Sequence, residues 1–365
     1  MASRFILIGG FLGAGKSTTV GRLAKHYVGL GKRVAIITND QTTDLVDTHS
    51  LRNQGFEVGE VAGACFCCSF NELTQRVEEM SASELPDVIL AEPVGSCTDL
   101  VATVIRPLES VFERPLEIAP YGVILKPSHG RKILCGSGKG GFSPKAEYIF
   151  RKQIEEADFV IVNRIDELSE EEVQELCDEI ETQFPGRTVI RMSAKTGTGF
   201  EAYAEFLEQS GNFGTRVLEM DYDLYAEGEA ELGWLNCQVK LEGQNEIAMD
   251  DFLLALVSSM QSELAGGECE VAHLKAIGMH DGNYAVANSV SSFTEPVLSL
   301  ASKCSTTTAD VVVNARVATS PEHLERLVRE HLTKTCEEHS AKAEIESLQS
   351  FRPGRPVPTH RITTA

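Results

Sequence analysis

A glycine-rich segment close to the start of the sequence has the residue types that bind phosphate. It reads Gly10-Phe-Leu-Gly-Ala-Gly-Lys16-Ser17, which fits the P-loop pattern, and it stands between an apolar run and a helical pattern. Glycines let backbone N–H groups turn towards a β-phosphate, and the helix that follows aims its N-terminus at the anion. We expect Lys16 to bridge the β- and γ-phosphates and Ser17 to ligate Mg²⁺. The predicted phosphate-binding residues are Gly10, Gly13, Ala14, Gly15, Lys16, Ser17 and Thr18.

Acidic residues that follow two of the apolar runs are candidates for the magnesium site. Glu92 ends the run 87–91 and begins Glu92-Pro-Val-Gly95. A carboxylate at the end of a buried strand beside a P-loop is placed to serve Mg²⁺ and to position water, so Lys16 and Glu92 are the predicted catalytic residues. The Gly95 N–H could sense the γ-phosphate. Asp40 is a further candidate for Mg²⁺ or for a switch, and a solvated loop carboxylate is the alternative interpretation of Glu92.

Two short motifs further along the chain predict the choice of base. Asn163-Arg-Ile-Asp166 follows the apolar run 158–162, and Ser193-Ala-Lys195 follows the run 187–192. An aspartate there accepts hydrogen bonds from N1–H and the exocyclic amine of guanine, and a buried Asp166 would reject adenine, which has no matching donors. We expect the Ala194 N–H to bind the guanine oxygen and the Arg164 guanidinium to stack on the base, so GTP is favoured over ATP. The predicted base-binding residues are Asn163, Arg164, Asp166, Ser193, Ala194 and Lys195.

Three cysteines within four residues form a candidate metal site. Cys65, Cys67 and Cys68 lie between the second predicted strand and the Glu92 strand. Three thiolates can face one ion, which favours zinc, cobalt, nickel or copper(I) over magnesium. The pattern differs from the paired knuckles of a closed four-ligand zinc site and leaves one coordination position open, which suits an ion that must leave again. A redox thiol pair and simple burial are the competing interpretations.

The elements that must position these residues alternate between strand and helix. Near-continuous β-branched runs predict strands that are buried on both faces of a parallel sheet, and Ser169-Glu-Glu-Glu172 predicts a helix start through a capping box. We therefore predict an α/β P-loop domain over residues 1–212, with a doubly wound, mostly parallel sheet. Strands are predicted at 4–8, 33–38, 87–91, 120–125, 158–162 and 187–192, and helices at 16–29, 70–83, 97–109, 144–157, 169–184 and 198–210.

The remainder of the chain predicts a second, smaller domain. Residues 213–233 are acidic and contain Tyr and Gly, which indicates a linker. Residues 234–338 follow a β-α-β-β-α pattern, which favours a smaller α+β domain with a ferredoxin-like sheet. Residues 339–365 contain Arg352-Pro-Gly-Arg-Pro-Val-Pro358 and are predicted to be an extended, flexible tail. The predicted elements are strands near 234–241, 270–277, 283–290 and 309–318 and helices at 249–265 and 321–338.

The charge and cysteine content of the chain limit the binding partners and the cellular compartment that we expect. The net charge of −21 over 365 residues argues against nucleic acid and against an anionic membrane surface, because both require a basic face. The first residues form a strand pattern without an export signal, so a cytoplasmic location is expected. In a reducing compartment the ten cysteines are expected to be core fillers, metal ligands or redox groups rather than disulfides.

The order of these motifs resembles the CobW-like metallochaperone GTPases, relatives of the GTPases that insert nickel into urease and hydrogenase. The order is P-loop, Cys-x-Cys-Cys, Glu-x-x-Gly, Asn-Arg-x-Asp and Ser-Ala-Lys, over residues 1–210. The resemblance implies GTP-dependent delivery of an ion held by the cysteines, with zinc or cobalt foremost and nickel as a further candidate. The recipient would be a client metalloprotein or a cobalamin-type cofactor pathway. Two departures are that Arg164 replaces the usual lysine and that Ala64 separates Gly63 from the first cysteine.

Our leading hypothesis couples the nucleotide site to the cysteines. GTP and Mg²⁺ are expected to order the loops after strands two and three, so the nucleotide state would change the geometry of the thiolate site. No arginine finger is identifiable, so hydrolysis is expected to be slow without a client, a cofactor-assembly protein or a homodimer. Two other classes stay open: a P-loop kinase or ligase for a small molecule, with structural cysteines, and a redox or nucleotide sensor.

Overall fold

The chain folds into two compact units. The computed structural model describes residues 2–40, 46–80, 86–137 and 143–364. The first unit comprises Met1–Thr43, Gly55–Ala226 and Arg355–Ala365. The second comprises Asp44–Gln54 and Glu227–Gly354. Among the described helices, none is both long enough and apolar enough to cross a bilayer.

A parallel sheet forms the centre of the first unit, which confirms the predicted α/β class. Its strand order is β3-β2-β4-β1-β6-β7-β8, every neighbouring pair is parallel, and β5 also pairs with β1. The strands are β1 (Ser3–Gly10), β2 (Val34–Asp40), β3 (Glu57–Ala62), β4 (Val88–Glu92), β5 (Leu116–Ile118), β6 (Gly122–Leu125), β7 (Phe159–Val162) and β8 (Thr188–Arg191).

Burial explains which of these strands the sequence predicts. Every residue of β1, β4, β6 and β7 is buried, so these strands read as continuous apolar runs. Strand β3 was not predicted, because only one of its six residues, Val61, is buried and it contains Gly59 and two glutamates. Strand β5, which has three residues, was also not predicted.

Helices connect the strands of the first unit. They are α1 (Lys16–Gly29), α3 (Phe70–Met80), α4 (Arg106–Ser110), α5 (Pro127–Leu134), α6 (Pro144–Glu156), α7 (Glu170–Gln183), α8 (Phe200–Leu207) and α9 (Tyr222–Glu229), the last continuing into the second unit; α2 (Val46–Asn53) belongs to the second unit. The predicted capping box is present, since the Ser169 side chain accepts from Glu172 N–H and the Glu172 side chain accepts from Ser169 N–H. The helix predicted at 97–109 begins later, with a π-helical turn at Val101–Ile105 that continues into α4. The cause is local, because Asp99 adopts a left-handed φ of 62° that a helix cannot include.

An antiparallel sheet forms the centre of the second unit. Its order is β12-β11-β10-β13-β9-β14, and its core includes side chains of α10 and α11. The run β14-β9-β13-β10 is the 4-1-3-2 order of a ferredoxin-like sheet, to which β11 and β12 add two strands at one edge. Helix α2 also packs on strands of this sheet. The elements are β9 (Gly233–Ala248), α10 (Met249–Gly266), β10 (Val271–His280), β11 (Asn283–Ser289), β12 (Val297–Leu300), β13 (Ser305–Val317), α11 (Pro321–Glu338) and β14 (Ala341–Phe351).

The predicted flexible tail was wrong, and the predicted linker contains regular secondary structure. Residues 339–365 are not a flexible tail: β14 pairs with β9 over most of its length, and residues 355–364 pack with the first unit. Burial of β14 alternates residue by residue at its start, so that Ala341, Ala343 and Ile345 pack against the core. Residues 213–233, predicted as the linker, contain the passage from the first unit to the second, which falls between Ala226 and Glu227. All of α9 and the first residue of β9 lie in this segment.

Candidate functional site

The predicted site residues meet at one edge of the parallel sheet. Parallel strands end on the same edge, and ligands of open α/β sheets bind there. The P-loop follows β1, Asp40 ends β2, the cysteines follow β3 and Glu92 ends β4. The two base motifs follow β7 and β8. The structure therefore places every predicted site segment at this carboxyl edge, although the side chain of Asp40 lies outside what it describes.

The P-loop has the backbone geometry of a phosphate cradle. Gly15 has a left-handed φ of 96°, and a Cβ there would collide with the side-chain amide of Asn163. Among the described residues no side chain caps α1 at Gly15, so the first N–H groups of the helix are oriented for an anion. The Lys16 ammonium donates to Gly10 O at 2.9 Å, which curls the lysine back over the loop. The residues present therefore fit a nucleotide phosphate.

Glu92 and Ser17 form the predicted magnesium pair. The Ser17 hydroxyl donates to Glu92 Oε1 at 2.8 Å, and Glu92 is 8% exposed. A hydroxyl and a carboxylate at this distance are oxygen donors that fit Mg²⁺. Gly95 lies directly against the P-loop, because a Cβ there would be 2.7 Å from Leu12 Cδ2 and 2.9 Å from Leu12 N. This close approach is the physical reason for glycine at a position predicted to contact the γ-phosphate.

Asn163 joins the P-loop to the second base motif. Its amide nitrogen donates to Ala14 O at 2.8 Å, and its oxygen accepts from Ala194 N–H at 2.8 Å. Arg22, which the sequence analysis did not identify, donates from α1 to Ala194 O at 2.8 Å and to Lys195 O at 2.9 Å. The Ala194 N–H, which was expected to bind the guanine oxygen, therefore donates to Asn163 instead, and the Asn163 amide positions the two loops.

Of the other base-motif residues, Asp166 and Lys195 lie at the surface. Asp166 is exposed on a short 3-10 turn, Ile165–Glu167, so the expectation of a buried Asp166 was wrong. The turn follows Arg164, whose left-handed φ of 60° ends β7 and directs the next residues outward. The Arg164 guanidinium donates to Glu167 Oε1 at 2.8 Å, a local ion pair in place of the predicted stacking surface. Lys195 is also exposed, whereas Ser193 is buried.

The cysteine loop is held by a side chain that the sequence analysis did not single out. Asn39, near the end of β2, donates to Val61 O at 2.9 Å and to Ala64 O at 2.8 Å. Its oxygen accepts from Phe66 N–H at 2.8 Å, so one buried amide fixes the loop on both sides of Cys65. A tight turn follows, in which Cys65 O accepts from the N–H groups of Cys68 and the next residue, and leads into α3.

The thiols of the loop are close but differ in environment. Cys65 and Cys67 are buried, and Cys68 is half-buried. Cys67 and Cys68 Sγ atoms are 3.6 Å apart, close to the spacing of about 3.8 Å that two sulfurs have on one tetrahedral zinc ion with bonds of about 2.3 Å. Contact with the Cys65 and Cys68 thiols and burial raise the pKa of Cys67 well above its usual value. The hydrogen bond from Cys67 lowers the pKa of Cys68, so the first thiolate of the pair forms there.

The three cysteine side chains are not already arranged as a metal site in this structure. Within the described residues, no group of three or more His, Cys, Asp or Glu side chains has the arrangement of a metal site. The structure brings the three cysteines into one short loop, and the pair Cys67–Cys68 into the spacing of two ligands, but a three-thiolate shell requires a rearrangement of the loop.

These features define a P-loop nucleotide-binding domain with a cysteine loop at its carboxyl edge. The model of the CobW/HypB/UreG nucleotide-binding domain matches residues 4–191, and the chain belongs to this family. The zinc chaperone YeiR of Escherichia coli (strain K12) is 28% identical over 181 residues, which are 48% of this chain and 50% of that protein. The chain thus spans about half the length of this curated relative.

Solved structures with a similar fold include two nucleotide-binding proteins. The hydrogenase maturation factor HypB from Archaeoglobus fulgidus is 18% identical with a TM-score of 0.40, covering 56% of this chain and 88% of that one. The Zn(II)-bound YjiA GTPase from E. coli is 12% identical with a TM-score of 0.37, covering 92% of this chain and 99% of that one.

Proposed function

We propose that this chain is a GTP-hydrolysing metal chaperone that binds a thiophilic ion at the cysteine loop and releases it to a client. The observation that carries the proposal is a direct connection between the two sites through β2. Thr38 is the register partner of Glu92 in the neighbouring strand β4, and the next residue, Asn39, holds the loop at Ala64 and Phe66. The residue of β2 that stands opposite Glu92, Thr38, is therefore the immediate neighbour of the residue that holds the cysteine loop, Asn39.

The nucleotide half of the cycle uses residues of the carboxyl edge. Bound Mg²⁺ would supply charge neutralisation between the β- and γ-phosphates, and Ser17 and Glu92 are the residues that would hold it. Lys16 leaves Gly10 O and donates to phosphate oxygens. Glu92 orients the attacking water, and the backbone at Gly95 reports the γ-phosphate. Asp166 accepts from guanine at the surface, where the base itself excludes water from the carboxylate.

The cargo half uses the thiols. Zinc is the first candidate, because YeiR is a zinc chaperone and because thiolate ligands favour zinc, with cobalt and nickel as alternatives. The Cys67–Cys68 pair provides the first two ligands, and Cys65 the third after the loop rearranges. A three-ligand shell leaves one position for a client side chain, which favours transfer over storage. A client metalloprotein or a cofactor-assembly protein is the proposed recipient.

The coupling is reciprocal by thermodynamic necessity. If GTP changes the position of β2 or of Asn39, it changes the loop and hence metal affinity, and metal must change nucleotide affinity by the same factor. Typical coupling of this kind is about 1–3 kcal/mol, or about 5- to 150-fold in affinity.

Cobalt titration with nucleotide assays tests the proposal. We expect one equivalent of Co²⁺ with a thiolate charge-transfer band, lost when Cys65, Cys67 and Cys68 are all changed to Ser. The matched control is Cys304→Ser, which alters a partly exposed cysteine of the second unit. GTP should be hydrolysed and ATP should not. Phosphate transfer to a small acceptor without metal binding would favour the kinase or ligase class, and reversible thiol oxidation without metal binding would favour the sensor.

A further inference from the structure

The segment Arg355–Thr364, called the strap below, lies on the cysteine loop. Thr359 N–H donates to Cys67 O at 2.8 Å, and the Thr359 hydroxyl donates to Cys68 O at 2.9 Å. Val357 N–H donates to Cys68 Sγ at 3.3 Å. The strap therefore contacts both the backbone of the loop and the sulfur of its most accessible thiol.

An ion pair between a partly exposed arginine and a buried aspartate fastens the far end of the strap. Arg361 Nε donates to Asp99 Oδ2 at 2.7 Å, and its second nitrogen donates to Leu218 O at 2.8 Å. Asp99 is fully buried and also accepts from the Tyr222 hydroxyl at 2.7 Å. If the strap left, Asp99 would lose its cationic partner inside the protein, which is strongly unfavourable. The Asp99 carboxylate and the Leu218 carbonyl together therefore fix the position of the Arg361 guanidinium.

Weaker contacts hold the strap on both sides of the Arg361–Asp99 ion pair. The His360 ring meets Phe70 of α3 edge-on with centroids 5.1 Å apart. Ile362 N–H donates to Ala102 O at 2.8 Å. The start of the strap is different, since Val357 stands between two prolines, is 70% exposed and donates only to the sulfur among the contacts described for it. The Arg355 guanidinium at the start of the strap donates to Asp223 Oδ1 at 2.7 Å, but both side chains are exposed, so solvent weakens this ion pair. The half of the strap that touches Cys68 is therefore held less firmly than the half that is fastened to Asp99.

We propose that the strap is a reversible cover of Cys68 and that its Arg361–Asp99 pair, by anchoring the far end, limits how often the proline-flanked half lifts from the thiol. In the closed state the Val357 N–H is directed at a sulfur lone pair that an incoming ion requires. Opening the proline-flanked half exposes the sulfur without unfolding the loop, because Asn39 holds the loop from the other side. The consequence for metal exchange rests on the proposed function, whereas the control of thiol access does not.

Alkylation kinetics test the cover on the full-length, metal-free protein. The rate of Cys68 modification by iodoacetamide is mapped by peptide mass spectrometry in the wild type, in Arg361→Ala and in Arg361→Lys. We expect at least a tenfold faster reaction of Cys68 in Arg361→Ala and a smaller increase in Arg361→Lys. Partly exposed Cys304 is the internal reference and should not change. Arg326→Ala, which removes an exposed arginine of α11, is the matched control.

A second variant keeps the test decisive if Arg361→Ala perturbs folding. Reaction of Cys177, which is buried in α7 of the first unit, would report such unfolding. Val357→Pro removes the N–H that donates to the sulfur and leaves the Arg361–Asp99 pair intact. Because this N–H also lowers the pKa of the Cys68 thiol, all rates are compared at their high-pH plateau, where Cys68 is fully thiolate, and there Val357→Pro should also react faster. Unchanged Cys68 rates in Val357→Pro and in a folded Arg361→Ala would overturn the proposal.

Zinc release separates the two proposals from each other. Transfer of Zn²⁺ from the protein to a chromogenic chelator should be faster in Arg361→Ala than in the wild type, in step with alkylation. If the wild type binds no zinc, cobalt or nickel, the proposed chaperone function fails, and the alkylation rates still decide whether the strap covers Cys68.

Discussion

Asn39 Oδ1 accepts a hydrogen bond from Phe66 N–H at 2.8 Å and thereby ties β2 to the cysteine loop. The same amide donates to Val61 O and Ala64 O, so all of its polar atoms are used. Asn39 follows Thr38, which stands opposite Glu92 in the sheet. A change at Glu92, the proposed magnesium ligand, can therefore reach the cysteine loop through one strand.

Replacing Asn39 by Ala should weaken both the fold and the coupling. The variant leaves two carbonyls and one N–H unpaired in a buried place, and we expect a loss of about 2 kcal/mol or more in unfolding free energy. Urea denaturation measures this loss. The control is Asn71→Ala on the exposed face of α3, which should change stability by less than about 0.5 kcal/mol. Equal stability of the two variants would contradict the role assigned to Asn39.

Glu92→Gln should separate nucleotide binding from hydrolysis. The amide keeps the shape of the side chain and can still accept from Ser17, but it neither neutralises Mg²⁺ nor orients water as a carboxylate does. We expect GTP hydrolysis to fall by about 10²-fold while GTP still binds. Glu78→Gln, at an exposed position of α3, is the matched control. Undiminished hydrolysis in Glu92→Gln would remove this residue from the catalytic machinery.

Asp166→Asn should change the preferred base from guanine to xanthine. Guanine offers two donors to the carboxylate, whereas xanthine offers N1–H and a carbonyl, which match the acceptor and the donor of an amide. We expect GDP affinity to fall by about 10²-fold and XDP affinity to rise, as isothermal titration would show. Retained preference for GDP would mean that the exposed Asp166 does not read the base.

Glu156 should make stability depend on pH. Burial raises the pKa of this carboxyl well above its usual value of 4.5, and the nearby Asp99 adds to the effect. The folded state then holds a proton that the unfolded state has lost, so this stabilisation is present at low pH and declines as pH rises from about 4.5 towards the raised pKa.

Glu156→Gln should remove that decline, because the amide mimics the protonated acid and does not titrate. Its unfolding free energy, measured in urea from about pH 5 to about pH 8, should therefore fall less with pH than that of the wild type. Glu156→Ala leaves the Thr98 hydroxyl and Val101 N–H without their acceptor and should be destabilised at every pH. Parallel pH profiles in the wild type and in Glu156→Gln would contradict the assignment.

Burial decides how much of the fold the sequence predicts. Central strands such as β1 are buried on both faces and are continuous apolar runs, and the capping box at Ser169 is a purely local signal. The edge strands β3 and β14 have neither a continuous apolar run nor a local capping signal. β3 contains Gly59 and two glutamates, and β14 alternates apolar with polar residues because one of its faces is solvated. The alternation from Ala341 to Ile345 is the signal from which β14 could have been predicted.

In the candidate site, too, some features follow from adjacent residues and others depend on contacts between distant segments. The P-loop, Glu92 and the cysteines belong to short motifs, so a few adjacent residues are enough to predict their chemistry. The exposure of Asp166, the use of Asn39 as a brace and the Arg361–Asp99 pair depend on contacts between segments that are far apart in the chain. A single sequence carries no signal for such pairs, since an isolated asparagine or arginine has many equally satisfactory environments.

The most direct test of the account is Zn²⁺ affinity measured with a non-hydrolysable GTP analogue and with GDP, in the wild type and in Asn39→Ala. We predict affinities that differ by about 10-fold or more between the two nucleotides in the wild type, and by less than about 3-fold in Asn39→Ala. Equal affinities with both nucleotides in the wild type would contradict the coupling of the GTP site to the cysteine loop.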